Sequence, residues 1–193
     1  MNRRDTRPAA VATGVRGIAA VVRADNEAET LAGLVAGAMP RIGMGTGGAG
    51  LLSLTARTVL AAVQGVARIR AVDERAAKSI MVGALDGACT IGEITLGTIA
   101  VSGAALVLGI FEAGGDLALA ARAAVKGAVR VARAADASAS EAAMAAASGA
   151  LRAAAAIGEP AERRVREELA GPIAGVGGVR PRLRPASAAN WEC

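Results

Sequence analysis

Asp86, Cys89 and Glu93 are the only ionisable side chains in the long apolar run 80–111. Their i, i+3, i+7 spacing would place all three on one helical face. Buried there, the two carboxyls would have their charged forms disfavoured, and the chemistry open to them is a proton or cation relay. The commoner arrangement for such residues is that they mark turns or the exposed side of an interrupted helix. A second set is basic: Arg122, Lys126, Arg130 and Arg133, spaced by four, four and three. On a helix these make a single stripe, suited to an anionic surface such as lipid headgroups or an acidic partner, or simply solvated. No aromatic residue interleaves the stripe. Binding of single-stranded nucleic acid by base stacking therefore lacks its main contact type, and nucleic acid is not an expected partner.

The remaining composition removes much other chemistry. The 193 residues contain no His, which excludes His-based triads and His-ligated metal sites. No catalytic set and no metal site emerges from the residues that remain. Cys89 and Cys193 are the two cysteines. They do not read as a disulfide framework, so a reducing compartment is the expectation. The net charge of +5 rests almost wholly on Arg, with Lys78 and Lys126 the only lysines. That bias is typical of a GC-rich bacterial genome and is not by itself a nucleic-acid signal. The apolar fraction is 53% but aromatics are 1%. Large core anchors are scarce, so elements must pack backbone to backbone, as Ala and Gly permit.

A glycine cluster comprises Gly43, Gly45, Gly47, Gly48 and Gly50. Gly45, Gly47 and Gly50 fall in the G-x-G-x-x-G places, and the run through Arg68 to Val72 ends at Asp73. This resembles the Rossmann dinucleotide-binding fingerprint over about residues 41–131. The resemblance implies an α/β fold with strands near Arg41–Met44, Ala105–Phe111 and Gly127–Val131. It further implies NAD or NADP as cofactor, the three glycines against the pyrophosphate and Asp73 on a ribose hydroxyl. These implications form the alternative reading.

The preferred reading is mainly α. Residues 1–25 read as a disordered basic leader and 171–193 as a disordered basic tail, flanking a helical domain over 26–170. Asn26 with Glu29 forms a capping pattern for a helix ending at Pro40, and Leu51–Ala67 reads as a second helix. Arg68–Lys78 reads as a charged connector. The apolar segment 80–111 is punctuated by Gly83, Gly87, Gly92, Gly97, Gly103 and Gly109. It is expected to form part of a Gly-rich helical hairpin over about 42–111, with Thr98 and Ser102 available to donate between helices. Asp116 and Ser138 should cap two Ala-rich helices, the second carrying a seam at Met144, Ala147, Leu151, Ala154 and Gly158, and a short charged helix should follow to Ala170.

Within that frame Ile94–Phe111 is free of charge and spans about 27 Å as a helix, a marginal membrane span. The expected function is a non-enzymatic, membrane-associated accessory or scaffolding protein without a cofactor, self-associating through close-packed Ala/Gly helices. Its expected location is the bacterial cytoplasmic membrane, or the cytoplasm if the apolar segment is a soluble core.

Overall fold

The computed structural model describes residues 27–43, 48–173 and 190–191. The expected leader, and most of the expected tail, lie outside those residues. The fold is mainly α, as the preferred reading expects. Seven helices occur among the described residues: α1 Glu27–Gly43, α2 Gly48–Ala67, α3 Glu74–Cys89, α4 Leu96–Glu112, α5 Leu117–Ala134, α6 Ala139–Ile157 and α7 Glu159–Ala170. Two short strands, β1 Ile94–Thr95 and β2 Asn190–Trp191, pair antiparallel with Ile94 opposite Trp191.

Caps set these boundaries. Asp73 accepts from the Ala76 amide at 2.7 Å and starts α3, so the expected charged connector is shorter than Arg68–Lys78. Thr95 and Thr98 form a reciprocal capping box at the start of α4. Asp116 opens α5 and Ser138 opens α6, both as the sequence indicates. Gly114, at φ 70°, carries the left-handed turn after α4, where the Gly115 amide donates back to the Ile110 carbonyl at 2.8 Å. The first helix continues through Pro40 to Gly43 instead of stopping there. Pro40 has no N–H, so the Ala36 carbonyl loses its usual donor within the helix.

The expected single hairpin over 42–111 is corrected to three helices, α2, α3 and α4. The apolar segment 80–111 is broken at Thr90–Glu93, where Thr90 donates to the Gly87 carbonyl at 2.8 Å. Helix α4 then packs chiefly on α6 and α2 rather than folding back on α3. Contacts run from α1 to α3, α5, α6, α4 and α2, and α2 closes the circuit against α3 and α1, with α7 lying on α6 and α5.

Backbone proximity replaces bulk in this packing. A Cβ at Gly83 would lie 2.3 Å from the Ala32 carbonyl oxygen, and one turn later a Cβ at Gly87 would lie 2.9 Å from that of Ala36. The matched order shows that α1 and α3 run in the same direction. Helices α4 and α6 interlock reciprocally: a Cβ at Gly103 would meet the Ala146 oxygen at 2.8 Å, and one at Gly149 the Ala100 oxygen at 1.8 Å. The seam residues Ala147, Leu151 and Ala154 are buried, whereas Met144 faces solvent. Thr55, Thr58, Ser79 and Ser102 are buried too, and each hydroxyl donates to the carbonyl four residues earlier on its own helix. Ser102 thus bonds the Thr98 carbonyl and not a neighbouring helix, which corrects the interhelical donor expectation.

Helix α4 has 17 residues and a length of about 25 Å, short of the roughly 30 Å hydrocarbon core, because Ile94 and Thr95 belong to β1. Eleven of its residues are buried within the bundle. One stretch among the described residues, Gly50–Ala67 in α2, is long and apolar enough to cross a membrane by length and composition; 44% of it is buried.

Candidate functional site

The basic stripe lies along α5, but its two halves have different surroundings. Arg122 Nε donates to Glu168 Oε1 of α7 at 2.5 Å, and its guanidinium also lies 3.7 Å from Glu74 Oε2 at the start of α3. Lys126 Nζ meets Glu74 Oε1 at 2.5 Å. These four side chains are half-buried, and together they tie three helices. An isolated exposed pair contributes ~0–1 kcal/mol, and a network that shares carboxylates, as here, is the arrangement in which such pairs add to stability. Arg130 and Arg133 continue the stripe onto exposed surface. Arg130 faces Asp86, whose carboxyl is pushed above the usual 3.8 by desolvation and pulled partly back by that guanidinium.

Beside the seam, two adjoining open clefts of about 480 and about 410 Å³ share Arg122, Glu167 and Glu168. Their size suits a small molecule, but ligand pockets are mostly apolar and enclosed. Here the lining is dominated by charges already paired, including Arg164 with Asp116 at 3.0 Å.

Asp86 and Cys89 sit on the last turns of α3, while Glu93 lies beyond the helix end in the turn that follows. Asp86 and Glu93 are both exposed. The three do not share a buried face, so the plainer arrangement holds and no relay is assembled. Among the described residues no group of three Cys, Asp or Glu is placed to hold a metal ion.

The Rossmann-like alternative is overturned. The segments it needs as strands, Ala105–Phe111 and Gly127–Val131, lie inside α4 and α5, and no parallel sheet exists among the described residues. Gly50 sits in the first turns of α2, and Gly45 and Gly47 lie outside the described residues. Asp73 spends its carboxylate on the α3 cap and on Arg70, 3.3 Å away. The NAD or NADP assignment rested on that fold and has no support without it. Glycines are frequent in this chain, and two overlapping G-x-G-x-x-G spacings, Gly43/Gly45/Gly48 and Gly45/Gly47/Gly50, arise among them.

Two features went unread in the sequence. The first is a strip on α4: Gly97, Val101, Ala104 and Leu108 are each only partly buried, and Phe111 is 49% exposed. Their four, three, four, three spacing puts them on one helix face. In a helix that is apolar all round, no face is singled out by hydropathy, so only the fold reveals which one is left outward. Phe111 and Met144 are the exposed large apolar side chains among the described residues. The second feature is that Cys89 is disulfide-bonded, contrary to the sequence expectation.

Comparison with protein-family models, characterised proteins and solved structures finds no match to this chain.

Proposed function

We propose that this protein is a non-enzymatic scaffolding or accessory protein, a close-packed Ala/Gly helical bundle that self-associates through the outward strip of α4. The observation that carries this reading is the strip itself: the most apolar helix leaves one seam uncovered, with Phe111 at its end. Small Gly97 and Ala104 alternate along it with larger Val101 and Leu108. A surface that alternates small and large residues at heptad-like spacing is self-complementary, which suits a two-fold pair in which each copy offers the same patch. Size-exclusion chromatography with light scattering tests this. The wild-type chain should run as a dimer, and Leu108→Gln with Phe111→Ser should run as a folded monomer. A wild-type chain that stays monomeric at high micromolar concentration would overturn the reading.

Attachment to a membrane is a second reading. It is supported by the apolar length of Gly50–Ala67 and by the exposed Arg130 and Arg133, which would face anionic headgroups with Arg122 and Lys126 behind them. In this reading the location is a bacterial cytoplasmic membrane. Against it stand Arg57 and Gln64, exposed along the outward side of α2, and the exposed Glu93 and Glu112 flanking the α4 strip. Flotation with anionic vesicles separates the two readings: salt-sensitive flotation that fails when Arg130 and Arg133 become Gln supports attachment, whereas a dimer indifferent to vesicles supports self-association.

A further inference from the structure

Helix α7 is seated differently from the other helices. Seven of its twelve residues are charged, and the side chains it buries are Ala161, Val165 and Leu169, spaced by four along one stripe. It contains no glycine, the residue that admits a neighbouring backbone at Gly83, Gly103 and Gly149. Towards α5 it is held by charge across a gap. Glu168 pairs with Arg122 and Arg164 with Asp116. The two open clefts lie between the helices, walled by Ala118, Leu119 and Lys126 on one side and by Glu167, Gly171 and Pro172 on the other. Ion pairs with this much solvent around them are weak and are screened by salt.

The joint between α6 and α7 is a single residue. Gly158 stands between Ile157 and Glu159 at φ 145°, ψ 167°, a conformation that essentially only glycine adopts. No side chain caps the start of α7. Rotation at Gly158 therefore redirects α7 as one rigid arm. Beyond its far end, residues 174–189 separate Ile173 from β2 and reach about 50 Å when extended, so the β1–β2 pair does not tether the arm.

We propose that α7 is an exchangeable arm: it swings about Gly158 and docks on α5 and α6 of a second copy, whose own α7 takes the vacated seat. Every contact of the seat is remade by the incoming α7, so the balance between the two forms rests on the hinge and on concentration. At low ionic strength the Arg122–Glu168 and Arg164–Asp116 pairs keep the arm in its own seat, and salt screens them and lets it exchange. The exchange itself is independent of the α4 strip. Where both contacts form, each copy offers two separate two-fold surfaces, and copies joined through both grow into a chain instead of closing as a pair. That last consequence alone rests on the self-association reading.

The test uses the full chain carrying Leu108→Gln with Phe111→Ser, so that no dimer arises from the strip, and it exploits the exposed Arg164–Asp116 pair. In one sample Asp116→Arg sets a second arginine against Arg164, and in another Arg164→Asp sets a second carboxylate against Asp116. Each arm is thereby repelled by its own seat and attracted by the seat of the other sample. The two are mixed at high micromolar concentration in concentrated salt, returned to low salt and read by size-exclusion chromatography with light scattering, with tags of different size marking the two chains. The expected result is a heterodimer that persists on dilution, while each sample treated alone stays monomeric. In a chain that keeps Asp116 and Arg164, Gly158→Ala should raise the exchanged fraction several-fold after the same treatment, because a Cβ disfavours φ 145°. Circular dichroism checks that the helices remain in every variant. A mixture that stays monomeric, or a Gly158→Ala chain that loses thermal stability without dimerising, would overturn the exchange, and neither result bears on the α4 strip.

Discussion

Replacing Gly149 by Ala tests directly whether backbone proximity holds this bundle together. The added Cβ would lie 1.8 Å from the Ala100 carbonyl oxygen and 2.7 Å from its carbon, both backbone atoms that cannot rotate away. Real Cβ atoms essentially never come within 3.0 Å of such atoms, so α4 and α6 must part by about 1.2 Å. A gap of ~0.5–1 Å already forfeits a quarter to a half of each dispersion contact across it. The α4–α6 interface is the most extensive helix pair in the fold, so that loss is spread over many atoms. Overpacking of this kind costs ~1–3 kcal/mol or more, and the better helix propensity of Ala returns at most ~1 kcal/mol. The expected net loss is about 1–2 kcal/mol, roughly 2–8 °C in Tm for a chain of this size. The same substitution at Gly33 is the control, because a Cβ there meets nothing within 4 Å, and it should stabilise by ~0.5–1 kcal/mol. Urea unfolding followed by circular dichroism reads both. If Gly149→Ala matched or exceeded wild-type stability while Gly33→Ala behaved as expected, α4 and α6 would not be in backbone contact and the packing argument would fail.

Two further outcomes follow from the charged groups. Because desolvation raises the Asp86 carboxyl above 3.8, the folded state binds its proton more tightly than the unfolded chain does. Its ionised form therefore opposes folding at neutral pH, and that opposition fades as pH falls through the folded pKa towards 3.8. Asp86→Asn should then be more stable than wild type at pH 7 by urea midpoint, and the gap should close near pH 3; a gap that widens on acidification would contradict the assigned cause. Glu74→Gln leaves Lys126 without its carboxylate and Arg122 with Glu168 alone, and should cost up to about 1 kcal/mol at low ionic strength and less in 1 M salt. A salt-independent loss would show that Glu74 acts through packing.

What the sequence showed and what it concealed divide along a physical line. Helix ends with a single polar cap were readable: Asp116 and Ser138 each precede an Ala-rich run, and the structure caps α5 and α6 with them. The segment 80–111 was not, because an apolar run broken by glycines has no single period. It satisfies a membrane span, a buried strand or a core helix alike. What decides the matter there is the Thr95–Thr98 capping box, in which Thr stands where Glu or Gln is the usual partner. Pro40 misled for the opposite reason: the local rule ends a helix there, yet α1, which packs on α3, runs on to Gly43.

The basic stripe shows how packing fixes the meaning of a charge pattern. On α5, Gly127 stands between Lys126 and the rest of the apolar face, and a Cβ at that position would lie 2.7 Å from Met81 Cγ on α3. Its absence lets α5 approach α3 closely, and that approach brings Lys126 and Arg122 within reach of Glu74. Further along, Arg130 faces Asp86, and Arg130 and Arg133 both lie on the exposed surface. The stripe's first half is thereby a structural seam and its second half is the part presented to solvent. A surface role for α5 therefore rests on Arg130 and Arg133, and charge removal at Arg122 or Lys126 acts first on the joint between α3, α5 and α7.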